Sequence, residues 1–233
     1  TQPVSKQFRG GGFDSNYLSR LAKYSLGFPS LQFYGYFPSL SRFTFPKMST
    51  KEKKIVDTNL LPFAPLTRDS LYHYNEIRSM FLDNYSSSQI CHHFDLGSLQ
   101  QLSFETCLQQ TLQHLKQKET LFNLIPISDY LELMWQKKLL FYTPRHPSGS
   151  LFAEVVKRIC TNLDLPVYDD ELVRIRKRDH FSQIKLYIPK WIRENYLRSI
   201  GEINDEHFFS MTASDTVSLY AKLYRLFPSA LHV

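Results

Sequence analysis

The sequence predicts a mainly α protein: a helical body of about six helices, one small β-hairpin over residues 172–188, and a long extended arm at the N-terminus. Three observations carry that expectation. Apolar residues recur at three- and four-residue spacing through most of 67–233. One stretch, Leu172 to Ile188, alternates instead. Phe-Pro dipeptides recur between Phe28 and Pro46, where each proline fixes its own backbone and drives its predecessor out of the helical region.

The arm is drawn as residues 1–48. Gly10-Gly11-Gly12 forms a flexible joint. A short helix is expected from Asn16 to Leu26, capped by Ser15 or Asn16 and stopped by Gly27. Then FPSLQFYGY and FPSLSRFTF repeat one nonapeptide almost twice. Extended, residues 27–47 reach ~70 Å, more than the ~30–40 Å breadth of a body of this size. Rings so dense need cover. Phe28, Phe33, Tyr34, Tyr36, Phe37, Phe43 and Phe45 are therefore expected to bind a partner. The competing reading for part of the arm is packing against this chain's own helices.

Residues 49–66 read as a linker, charged in STKEKK and turned by proline in LPFAPL. The body is drawn as 67–233. Its first helix is expected over 67–83, with Leu71, Tyr74, Ile77, Met80 and Phe81 on one face and Ser86-Ser87-Ser88 as a break. A long Gln-rich helix follows over 98–118, then helices over 128–141, 150–163, 189–200 and 214–227. Pro189 at the start and Gly201 past the end of the fifth follow the usual asymmetry. No period near 34 residues aligns these helices, as a helical-repeat protein would require.

Charge is unevenly placed. The net charge is +6. Lys6, Arg9, Arg20, Lys23, Arg42 and Lys47 stand against Asp14 alone in residues 1–50. Such an arm, basic, aromatic and almost acid-free, resembles a mitochondrial presequence in composition. Thr1 in place of Met then reads as the start of a mature chain after a processing site. A boundary without targeting meaning and an internal start at Met48 are the alternatives. Cys91, Cys107 and Cys160 form no CxxC pair and are odd in number, which favours a reducing compartment. No apolar run approaches the ~18–20 residues that span a bilayer, so no integral membrane protein is expected.

Chemistry-bearing motifs are sparse. In the expected hairpin, alternation puts Arg174, Arg176 and Arg178 on one face, joined by Lys185. That face would suit phosphate, RNA or an acidic partner. The acidic run Asp169-Asp170-Glu171 directly upstream favours a solvated, neutralised face instead. Cys91, His92, His93 and Asp95 are metal-capable, but adjacent histidines do not aim at one ion and structural zinc wants two spaced pairs. Asp205, Glu206 and His207 read as a polar turn. Ser148-Gly149-Ser150 lacks the nucleophile-elbow spacing, and neither a phosphate loop nor HExxH occurs. No cofactor, metal or small-molecule substrate is inferred.

These readings combine into a non-catalytic accessory subunit of a large mitochondrial assembly, on the matrix side. A peripheral subunit of a respiratory-chain or ATP-synthase complex is the first expectation, with other protein subunits as partners and lipid headgroups or rRNA as further contacts. The alternative is a mitochondrial ribosomal protein that meets rRNA through its basic face. An enzyme with a site of dispersed residues is the third reading.

Overall fold

In the computed structural model, which describes residues 26–44, 70–97, 101–177, 186–197, 200 and 212–231, the described chain enters as an extended strap. Residues 26–34 have no regular structure, and a turn follows at 35–36. The strap then becomes strand β1 (Leu40–Thr44). Strand β2 (Ser70–Tyr74) pairs with it antiparallel, from Leu40 opposite Tyr74 to Thr44 opposite Ser70.

The helix expected over 67–83 is thus divided in its described part. Residues 70–74 are strand, and helix α1 occupies Asn75–Leu82. The reason lies in SLYHY, where adjacent His73 and Tyr74 are 1% and 0% exposed and so face opposite sides of a buried ribbon. Aromatic side chains fit such a pleated surface.

Helix α2 (Ser87–Leu96) lies where three serines were read as a break. Ser86 closes a capping box with Gln89, satisfying two orphan backbone donors. Gly97 ends the helix at φ +65, a left-handed conformation. A side chain there would also run into the Trp191 indole at 2.5 Å.

Helix α3 (Gln101–Leu121) is the long Gln-rich helix, and α4 (Ser128–Met134) follows after a short turn. The expected helix 128–141 stops at Met134. Phe141–Thr143 is instead strand β3, paired with the two-residue β4 (His146–Pro147). Helix α5 (Gly149–Asn162) buries Leu151, Ala153 and Val155.

Residues Asp169–Lys177 form helix α6, so the hairpin expected over 172–188 is corrected there. Asp169, Asp170 and Glu171 fill the first turn, and Arg174, Arg176 and Lys177 the last. That order of charge complements the helix macrodipole at both ends. Short alternation of Arg with Val and Ile is equally a helix whose Leu172 and Ile175 share a face. Residues 178–185 lie outside the described residues. Helix α7 (Lys190–Tyr196) follows Pro189, and α8 (Ala213–Leu226) starts with a Thr212–Asp215 capping box. A short 3₁₀ turn covers Pro228–Leu231.

The mainly α class holds, with eight helices and two small antiparallel sheets among the described residues. One core cluster joins Phe33, Tyr36, Phe37 and Leu40 of the strap to Trp135, Phe141, Tyr187 and Tyr220 of the helical body. Residues 26–40 are thereby packed with the body drawn as 67–233. Of the helix expected over 16–26, only Leu26 is described, and the linker over 49–66 lies outside the described residues. No helix among the described residues is long and apolar enough to cross a membrane.

Candidate functional site

The strap and α3 run side by side in opposite directions. At one end the Ile125 N–H donates to the Gly27 carbonyl at 2.9 Å. Ser30 and Gln32 lie beside Leu115 and Lys118, and Tyr34 beside Cys107 and Thr111. At the other end Gly35 sits against Leu108.

Two interlocked aromatic contacts hold the strap in place. Phe33 stacks on Phe141 with ring centroids 5.5 Å apart and meets Tyr36 edge-on at 5.0 Å. The buried Tyr36 hydroxyl shares its proton between the carbonyls of Trp135 (2.7 Å) and Lys138 (3.0 Å). Those carbonyls lie just past the end of α4, where helix termini leave acceptors without partners. Burial pushes the Tyr36 hydroxyl far above its ordinary pKa and keeps it a donor. The Phe33 N–H reaches the Pro144 carbonyl at 2.9 Å.

Helix α3 is fixed from below. Phe104, Leu112 and Leu115 face the core. The buried Glu119 carboxylate accepts from the N–H groups of Ile127 (2.8 Å) and Ser128 (2.9 Å) and from the Ser128 hydroxyl (2.5 Å). A buried charge is tolerable when its lone pairs are so filled. The same contacts satisfy the start of α4.

Between strap and helix lies a shallow groove of about 530 Å³. Its helix wall presents Cys107, Gln110, Thr111, Gln113, His114 and Gln117, and its strap wall presents Tyr34. These helix positions recur every three or four residues and form one polar stripe beside the buried one. A smaller recess of about 80 Å³ adjoins it, between Ser30 and Gln32 on one side and Lys118 on the other. Among the described residues no carboxylate lines either space, and Lys118 is the one lysine or arginine that does. Burial pushes the Cys107 thiol up, against the opposing pull of its hydrogen bond with Thr111. The thiol is therefore protonated and weakly nucleophilic at neutral pH. The groove is suited to binding neutral, hydroxyl-rich matter through amides, a hydroxyl and one aromatic ring.

Two other polar clusters tie elements of the body together. Asp95 of α2 accepts from the Tyr187 hydroxyl at 2.7 Å and from the Lys190 N–H at 3.2 Å. Arg193 donates to the same hydroxyl at 3.1 Å and lies over the Tyr187 ring. This knot ties α2 to α7. His73 is 1% exposed and shares a hydrogen bond with the Tyr224 hydroxyl at 3.1 Å. Burial, with Arg78 adding to it, lowers its pKa to about 4, so the ring is neutral.

The residues singled out from sequence scatter. Phe33, Tyr36 and Phe37 are fully buried in this chain's own core, which corrects their reading as partner contacts. Phe28 is exposed, and Tyr34 lines the groove. Phe43 stands opposite Leu71 in the β1–β2 register. Phe45, Arg178 and Lys185 lie outside the described residues. Arg174 and Arg176 are exposed on α6, and Arg174 pairs with Glu171 at 2.8 Å. That is a solvated helix face. Asp95 holds a tyrosine rather than joining a metal-ligand set, and the described residues contain no group of three or more His, Cys, Asp or Glu placed for a metal. The groove residues Gln110, Thr111, Gln113, His114 and Gln117 were missed. Their signal was present in the helical spacing of glutamines that were read only as composition.

Comparison with known proteins supplies what the geometry leaves open. Residues 1–167 match the family described as the polysaccharide biosynthesis enzyme WcbI. No curated protein matches. A solved structure of WcbI, described as a novel polysaccharide biosynthesis enzyme in its native form without a disulfide bond between coenzyme A and a cysteine, is 19% identical. It superposes with a TM-score of 0.52 over 99% of this chain and 78% of that one, a likeness of fold.

The family match overturns the expectation of a non-catalytic accessory subunit, because the family is one of biosynthetic enzymes. With that expectation fall the respiratory-chain, ATP-synthase and ribosomal partners, the mitochondrial location and the lack of a small-molecule substrate. The physical reason is that dense rings call for cover without saying whose, and the fully buried ones described, Phe33, Tyr36 and Phe37, are covered by this chain. By the match over residues 1–167, the chain belongs to the WcbI family of polysaccharide biosynthesis enzymes.

Proposed function

We propose that this chain takes part in polysaccharide biosynthesis by binding a saccharide in the groove between the strap and α3. One observation carries the reading. The groove pairs the Tyr34 ring with uncharged hydrogen-bonding side chains, chiefly Gln110, Thr111, Gln113 and Gln117. Sugar hydroxyls both donate and accept, as amides do, and the apolar faces of sugar rings lie well on an aromatic side chain. A lining whose described residues include no carboxylate discriminates by geometry rather than by charge. His114 stands on the same wall and adds ring nitrogens to its hydrogen-bonding groups.

The solved relative is described with coenzyme A and a cysteine. Coenzyme A carries several phosphates, which call for more than one cation or for helix N-termini. The groove offers Lys118, and its thiol, Cys107, is pushed up by burial. The groove residues do not fit that group, and no step is derived through it.

The test is saturation-transfer NMR of the full chain with glucose, galactose, mannose and N-acetylglucosamine. At least one sugar is expected to give a signal that Tyr34→Ala and Gln113→Ala each weaken by about tenfold, the loss of one good contact. Signals absent from all four sugars, or unchanged in both variants, overturn the reading.

A further inference from the structure

The groove changes character at one end. On α3, Lys118 is followed within one turn by Leu121, and Phe122 comes just past the helix end; the two are 75% and 62% exposed. On the strap, Ser30 is preceded by Phe28 and Leu26, 43% and 39% exposed. The Gly27–Ile125 hydrogen bond holds these two apolar edges at the same end. Single exposed apolar residues are ordinary, but four gathered at the mouth of a polar groove are a patch.

From this order we infer that the saccharide arrives attached to a lipid through a phosphate. The inference rests on the saccharide reading of the groove. Along α3 the chemistry runs from the amide and imidazole stripe around His114, through Lys118, to Leu121 and Phe122. At 1.5 Å per residue, Lys118 stands ~6 Å from His114 and ~4.5 Å from Leu121, the last residue of the helix. That spacing suits a sugar ring, then a phosphate, then the first methylenes of a chain. Lys118 has no ion-pair partner among the described residues. It lines the recess that adjoins the groove, one helical turn before Leu121, so its ammonium is placed for a phosphate point charge. The exposed patch gains by covering a lipid chain's methylenes. A free sugar would leave both the lysine and the patch idle.

The probe is dodecyl phosphate below its micellar concentration, with butyl phosphate as the short-chain control, titrated calorimetrically into the full chain. Dodecyl phosphate is expected to bind at least about tenfold more tightly than butyl phosphate, since each buried methylene adds severalfold. The Leu121→Ser, Phe122→Ser double variant is expected to lose that advantage. Lys118→Gln is expected to weaken both phosphates about threefold or more. Leu121 and Phe122 are exposed and Lys118 is half-buried, and unchanged circular dichroism and melting curves confirm that the variants fold.

Equal binding of both phosphates, or no loss in the double variant, overturns the inference. So does a dimer in sedimentation that the double variant dissolves, because the patch then meets a second copy. Attachment to phosphatidylcholine vesicles that ignores Lys118→Gln also overturns it, in favour of a bare membrane surface. Saccharide binding by NMR separates the two readings. Sugar bound without preference for the long chain removes only the lipid; no sugar bound, with the long chain preferred, removes only the saccharide.

Discussion

The strap and helix α6 differ in regularity and in burial, and in opposite senses. Residues 26–39 form no helix or strand, yet Phe33, Tyr36 and Phe37 are fully buried. Helix α6 is regular, yet Leu172 is its one buried side chain and Val173 is 39% exposed. Regular hydrogen bonding and membership of the core are thus separate properties. The strap compensates for its missing ladder with scattered long-range bonds, Phe33 to Pro144 and Gly27 to Ile125. Helix α6 satisfies its own backbone and needs little from its neighbours beyond one close approach.

Four substitutions probe this contrast, from largest effect to smallest. Phe33→Ala should cost about 3–5 kcal/mol, the usual penalty for emptying a fully buried ring site. Urea denaturation measures it, and a loss below about 1 kcal/mol would remove the strap from the core. Gly149→Ala attacks the close approach of α6. Its new Cβ would lie 2.8 Å from the carbonyl oxygens of Ile175 and Arg176, so backbone must shift. The expected cost is about 1–3 kcal/mol, with faster amide exchange across 169–177. Slow exchange there and an unchanged melting point would contradict the close packing of α5 on α6.

Tyr36→Phe keeps the ring and removes the hydroxyl shared by the Trp135 and Lys138 carbonyls. A loss of about 1–2 kcal/mol is expected. A neutral result would mean that water replaces the hydroxyl, opening the strap where it is drawn shut. Arg174→Gln together with Arg176→Gln should change stability by less than about 0.5 kcal/mol, because the Arg174–Glu171 pair is exposed on both sides. A larger loss in thermal melts would give α6 a structural weight that its exposure denies.

Much of the helical scaffold was legible from local pattern. Residues 98–118, 150–163 and 214–227 carry long apolar stripes, and helices stand there within a few residues of the expected bounds. What failed has a common cause. Ser86 was read as a breaker, although a serine three residues before Gln89 is also a helix start. LVRIRKR reads as a strand because seven residues are too few to distinguish the periods, and the acidic run before it fits a neutralising neighbour as well as the first helical turn that it is. SLYHY was absorbed into a helix because its strand partner, Leu40–Thr44, lies far away in sequence.

The groove was half legible. Its helix wall is written in the spacing of Gln110, Gln113 and Gln117, but its other wall is not. Nothing near Tyr34 announces that it will lie against Thr111, because such a pairing is decided by which core the strap enters. The aromatic repeat announced that cover was needed and was silent on whose cover it would be.

The strap's anchoring has a consequence for how the protein is made. Tyr36 bonds to carbonyls 99 and 102 residues further along the chain. A ribosome adding about 5–20 residues per second delivers Trp135 some 5–20 s after Tyr36. Through that interval Phe33, Tyr36 and Phe37 are synthesised and uncovered. The nascent chain therefore presents its stickiest segment first and its cover last, and a chaperone that engages it early guards the yield of the finished enzyme.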